Sequence, residues 1–269
     1  MHPLLIMTKL AKPKLAKPKL AKPKYIHEKG DFMKLSNDAF NILKHATVIS
    51  PGIKIDAGTE IFSAHESGAV RMYSQLTPDD NFPVPFTVMN LNQFLNMVSL
   101  VDEPNLDFTE DSVNITSKDG GTTVKYYYSD PSTVNQDNKR LKADLTYEVE
   151  FFINQDDLSK LFKAASAISA DDICVYNKKG DVYIAAVDKR CRNSNRYDLF
   201  VLHCDDLEKN GYEFKIYFRK SNLKLTNNDF TVSISSKGIS VWKATNANVP
   251  NLTFYVAIER DSEFSGKDD

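Results

Sequence analysis

The sequence predicts an α+β protein of two similar domains, each made of two β-α-β-β-β units with antiparallel sheets and the helices gathered on one face. Two observations carry this. An apolar strand, an amphipathic helix and three further strands recur four times, beginning near Met33, Phe82, Thr146 and Tyr212, and repetition at this scale reports architecture. The strand-like segments after each helix are joined by short turns, which antiparallel neighbours allow and parallel crossovers do not.

The first unit opens with Ser36 as the N-cap of a helix over 36–47, in which Ala39, Phe40, Leu43 and Ala46 form an inward stripe. Asn41 and Lys44 then fall on the opposite face. Strands follow at 52–56, 60–65 and 69–76. In the second unit Asn90 caps a helix over 90–100 with Leu91, Phe94, Leu95 and Val98 inward, and three strands follow, the last two joined at Asp119-Gly120-Gly121. Apolar periodicity lapses after Ser129, so 33–129 reads as the first domain and 130–145 as a connector.

The second domain, 146–262, repeats the order. Asn154 caps a helix over 154–168, Asp156 and Asp157 favour the positive end of its dipole, and Leu158, Leu161, Phe162 and Ala165 face inward. Lys160 and Lys163 point away from that stripe. The fourth unit has only a short, weakly capped helix over 219–225, which presents Lys220 and Lys224, and residues 263–269 read as a flexible tail.

Length and charge bound the function. With 269 residues and 42% hydrophobic content the chain can build two ordinary cores. Its apolar runs stay short of the ~18–20 residues of a membrane-spanning helix. Three cysteines, Cys174, Cys191 and Cys204, lack CxxC spacing and read as reduced structural thiols. Residues 1–32 hold eight lysines against Glu28 and Asp31, and residues 9–23 repeat K-L-A-K-P three times, a pattern that proline keeps from forming a helix. This basic segment is read as an extension ahead of a start at Met33, the alternative being an electrostatic tether to nucleic acid. The remaining residues carry 26 basic against 34 acidic groups. Such a body repels nucleic acid at long range, so DNA contact depends on where its lysines stand.

Catalytic motifs are missing from the sequence. The body has His45, His65 and His203, with no HExxH, GxSxG, GxGxxG or phosphate-loop pattern. Asp171-Asp172 and Asp205-Asp206 could serve a metal-dependent nuclease, but solvated turn residues are their ordinary explanation. Lysines on three of the four outward helix faces suit phosphate contacts that hold a duplex without reading its sequence.

Several segments resemble the sliding clamps of T-even-type bacteriophages: residues 33–55, 94–108, YYYSDPSTV at 126–134, and LTFYVAIERDSEF at 252–264. The resemblance implies the DNA-clamp (processivity) fold, three chains closing head to tail into a six-domain ring, helices lining its lumen and sheets outside. It implies a processivity factor of viral DNA replication that catalyses nothing and needs no cofactor or metal. Carried onto this chain, Asn41, Lys44, Lys160, Lys163, Lys220 and Lys224 become lumen contacts. The strand at 122–128 would pair with 196–204 of the next subunit, placing Tyr126, Tyr127, Tyr197 and Phe200 at the junction. A pocket for partner peptides is expected near Leu141, Val249, Pro250, Ala257 and Ile258. The partners implied are duplex DNA, the replicative DNA polymerase, an ATP-dependent clamp loader and late-transcription sigma or coactivator proteins, in the cytoplasm of the infected bacterial host. The segment before Met33 and the connector after DPSTV depart from the family pattern. Two rival readings are the metal-dependent nuclease and a β-rich phage structural protein.

Overall fold

The computed structural model describes residues 32–139, 145–191, 194–245 and 251–265. The first half runs β1 (Phe32–Lys34), α1 (Asn37–Ile49), β2 (Ile53–Ile55), β3 (Glu60–Ala64), β4 (Val70–Gln75), β5 (Phe86–Val88), α2 (Leu91–Ser99), β6 (Asn105–Phe108), β7 (Ser112–Thr116) and β8 (Thr123–Tyr127). The second runs β9 (Val149–Ile153), α3 (Gln155–Ala167), β10 (Asp172–Lys178), β11 (Asp181–Val187), β12 (Tyr197–His203), α4 (Asp205–Asn210), β13 (Glu213–Arg219), β14 (Phe230–Ser235), β15 (Ile239–Ala244), β16 (Thr253–Ala257) and β17 (Glu263–Ser265). The order β-α-β-β-β opens each half and repeats once within the first.

Local chemistry explains the three long helices. The side chain of Ser36 accepts from the Ala39 amide, and that of Asn90 from the Gln93 amide. Asn154 does the same for the Asp157 amide, so each helix has one orphan donor satisfied at its start. The Ser36 cap is itself anchored: its N–H and hydroxyl donate to the two oxygens of the buried Asp80 at 2.9 and 2.7 Å. Leu91, Phe94, Leu95 and Val98 are buried on α2, and Leu158, Leu161 and Ala165 on α3, while Phe40 and Phe162 are only half-buried.

The helix expected over 219–225 is instead a single 3₁₀ turn, Lys220–Asn222, with no side-chain cap. Three asparagines, at 222, 227 and 228, and the non-helical backbone of Leu223 leave too little propensity to propagate a helix. A short helix the sequence reading passed over, α4, ends on Gly211 in the left-handed conformation that glycine adopts without strain. Residues 263–265, expected in a flexible tail, form β17 and pair with β13.

All strand pairs are antiparallel, in sheets ordered β1-β6-β7-β8, β2-β5, β12-β11-β10-β13-β17 and β3-β4-β16-β15-β14-β9. The six-stranded sheet crosses the two halves, because β4 pairs with β16 in the register Met72↔Phe254 and Tyr73↔Thr253. One apolar core runs through both. Trp242 lies at its centre beside Phe218 and Phe230, each burial worth roughly 1.5–3 kcal/mol. Its indole N–H donates to Ser240 Oγ, which donates onward to the Val256 carbonyl, so no polar group is stranded.

Candidate DNA-facing helices and open sheet edges

Asn41 and Lys44 are exposed on α1, and Lys160 and Lys163 on α3. Lys44 and Lys163 have no ion-pair partner among the described residues, whereas Lys160 is held 3.0 Å from Asp157 one turn earlier. The exposed face of α2 carries Asn92, Gln93 and Asn96 and no cation.

Lys220 and Lys224 differ from expectation, since neither rides on an α-helix, Lys220 opening the 3₁₀ turn and Lys224 following it, and both are half-buried. Lys224 Nζ donates to the Val48 carbonyl at 2.8 Å, and its own carbonyl accepts from His45 Nε2 at 3.0 Å. The ammonium is therefore spent on the unsatisfied C-terminal end of α1, and Lys224 is a structural brace. Burial holds the His45 pKa below its ordinary value, against the hydrogen bond to Lys224. At the far end of the same loop, Asp229 accepts from the Gln155 amide at 2.7 Å at the start of α3. The loop standing where a fourth helix was expected thus touches both α1 and α3.

β8 and β12 are outer strands of their sheets, one in each half. Outer strands present unpaired backbone donors and acceptors to whatever lies beside them. The alternation along β8 separates its tyrosines. Tyr126 is 8% exposed and meets Phe94 edge-on, so within one chain its ring packs into the core, not on the exposed face expected of a junction residue. Tyr127 is 62% exposed, with Lys125 Nζ 4.8 Å from its ring centre. On β12 Phe200 is 54% exposed, and Tyr197 is half-buried against the core. The exposed edge is completed by Arg196 over the Tyr176 ring, 2.6 Å from Asp198.

Of the five residues expected to line a peptide pocket, only Ala257 and Ile258 are described. Leu141, Val249 and Pro250 lie outside the described residues. Ala257 and Ile258 are half-buried, their amides bonded to the Ala69 and Gly238 carbonyls. A cavity of about 730 Å³ opens elsewhere, between β2, β5 and the start of the connector, lined by Val84, Pro85, Phe86, Tyr128 and Pro131. No single segment signals it, because its walls come from four stretches of chain.

This arrangement of helices, edges and cross-domain sheet matches known proteins. A sliding clamp of Vibrio phage KVP40 is 30% identical over 231 residues, covering 84% of this chain and 99% of the relative. The chain belongs to the sliding clamp family. A second phage clamp, from Enterobacteria phage T4, is 27% identical over 232 residues, with 86% of this chain and 98% of the relative covered. The family described as "gp45 sliding clamp, C terminal" matches residues 150–259. Proliferating Cellular Nuclear Antigen from Entamoeba histolytica superposes with a TM-score of 0.62 over 85% of this chain and 98% of that one at 14% identity, which shows the DNA-clamp fold.

The acidic pairs of the clamp do not converge. Asp172 was expected to be solvated but is fully buried: the Lys189 amide reaches its Oδ2 at 3.5 Å, its Oδ1 has no hydrogen bond, and Arg219 stands 3.8 Å away. Burial pushes its pKa up. Asp171 is bound by Arg190 at 2.6 Å. Asp205 is tied through His203 to Asp181, at the other end of the β10–β11 hairpin. A seven-residue strand separates the two pairs, about 20 Å of chain. No group of three or more His, Cys, Asp or Glu side chains able to hold a metal occurs among the described residues.

Proposed function

We propose that three copies of this clamp close head to tail into a ring around duplex DNA and retain the replicative DNA polymerase there. The observation that carries the reading is the pair of open edges, β8 and β12, on opposite halves of the chain, each with an exposed aromatic, Tyr127 and Phe200. An edge of one kind meeting an edge of the other is a heterologous contact, and such contacts generate a closed ring when the rotation per subunit closes. Two domains per chain make six around a trimer.

Lys44 and Lys163, with Lys160 and Asn41 beside them, are assigned to phosphates in the lumen. Contacts of this kind exchange along a duplex and carry no sequence information. The acidic balance of the body disfavours static binding, so retention falls to topology, and a clamp held that way does not impede the polymerase it serves. Nothing in this function requires catalysis by the clamp. A closed ring on circular DNA requires an ATP-driven loader as partner. Peptide tails of the polymerase and loader, and of late-transcription factors, are assigned to the cavity beside Phe86, Tyr128 and Pro131, since it joins apolar walls to a polar rim.

Retention on DNA tests the reading. Clamp loaded onto nicked circular duplex should remain bound through a salt wash and run off once the circle is cut. Equal retention on circular and linear DNA would contradict it.

A further inference from the structure

The cavity beside β5 has a second property besides its apolar walls: its rim is acidic. Asp56, Glu110, Asp111 and Asp130 line it against a single cation, Lys54. A hydrogen bond from Ser112 holds Asp111 below the usual carboxylate range, and bonds from Ser132 do the same for Asp130, so both are charged at neutral pH. The Tyr128 hydroxyl is buried there without a well-formed hydrogen bond. Proline, aromatic rings and carboxylates in one groove are the surroundings that hold a basic polyproline-II segment.

Residues 9–23 of this chain have the composition of such a segment, lysine-rich with a proline at every fifth position. In a helix of three residues per turn, positions i and i+3 share a face. Each K-L-A-K-P copy then sets its leucine and proline on one face, Leu10 with Pro13, Leu15 with Pro18 and Leu20 with Pro23, and its two lysines on the next. The point from which the segment is tethered also lies beside the groove. β1 pairs with β6 in the register Phe32↔Asp107, antiparallel, so the chain enters β1 from the side of Thr109, Glu110 and Asp111, all of which line the cavity. Seven residues, eight steps of chain, lie between Lys24 and Phe32, a reach of up to about 26 Å when extended.

We propose that the K-L-A-K-P segment, residues 9–24, docks in this groove of its own chain, with leucine and proline against Phe86, Tyr128 and Pro131 and lysines against the acidic rim. Three equivalent copies on one short tether raise the effective concentration of the ligand at the site. A partner peptide entering the same groove must displace the segment, which makes occupancy competitive. Docking itself needs no partner and is tested without one.

The test is hydrogen exchange on the full chain and on two full-length variants. Leu10→Ser/Leu15→Ser/Leu20→Ser keeps every lysine and leaves the folded body untouched; Glu110→Lys reverses an exposed rim charge. Exchange at residues 109–111 and 128–131 should be slower in the unaltered chain than in the triple variant by about fivefold or more, with Glu110→Lys between them. Equal exchange in all three proteins would overturn the proposal. So would protection that appears only when duplex DNA is added, which would make the segment a DNA tether.

Discussion

Lys224 Nζ donates a 2.8 Å hydrogen bond to the carbonyl of Val48, across 176 residues of sequence. A cation at the C-terminal end of a helix, bonded to one of its orphan carbonyls, contributes both hydrogen bonding and dipole energy. Lys224→Met keeps most of the stem and removes the charge. It should cost about 0.5–1.5 kcal/mol in chemical denaturation while leaving DNA retention unchanged. A loss of retention with full stability would return Lys224 to the lumen.

Lys44 and Lys163 should behave in the opposite manner. Each is exposed and lacks an ion-pair partner among the described residues, so Lys44→Glu and Lys163→Glu are expected to leave stability within about 0.5 kcal/mol. Stimulation of the polymerase should fall, and the salt dependence of DNA association should flatten by about one unit of slope per lost contact. Lys160→Glu should do less, because Asp157 already engages its ammonium.

These two outcomes mark what was legible. Helices α1, α2 and α3 were readable because cap and stripe are local: Asn90 and Asn154 sit beside the residues they cap. The Lys224 brace was not, since its acceptor is distant in sequence. The same holds for the Met72↔Phe254 pairing that joins the halves and for the cavity built from four stretches. Tyr126 and Tyr127 were separable in principle, as strand alternation forces one inward once the other is outward; which of them faced the core needed Phe94. α4 had a signal in Asp205-Asp206 ahead of Gly211, too short to stand out against the strands around it.

The edge residues supply a third prediction. Tyr127→Asp and Phe200→Asp each place a charge where apolar area is assigned to the junction, and both positions are more than half exposed within one chain. Each change should weaken assembly at least about tenfold, measured as the concentration midpoint of dissociation, with an unaltered unfolding curve for the dissociated chain. Tyr126→Asp should instead unfold the first domain, since that ring is buried against Phe94.

Titration distinguishes two histidines. His203 Nδ1 lies 2.6 Å from Asp181 and Nε2 3.0 Å from Asp205, and the bond to Asp181 leads in raising its pKa above 6.5. A raised histidine contributes stability fully below its unfolded value and loses it as pH rises through the folded one. His45 is lowered by burial, so its contribution is present above about pH 6.5 and fades as pH falls through its folded value. NMR titration should therefore place the His203 midpoint above 6.5 and that of His45 below it. The reverse order would contradict both assignments.

Native mass tests the central claim most directly. Light scattering on the full chain across a concentration series should reveal a species of three times the chain mass that gives way to smaller forms on dilution. A chain that stays monomeric at the highest concentration would contradict the ring, and with it the assignment of the β8 and β12 edges.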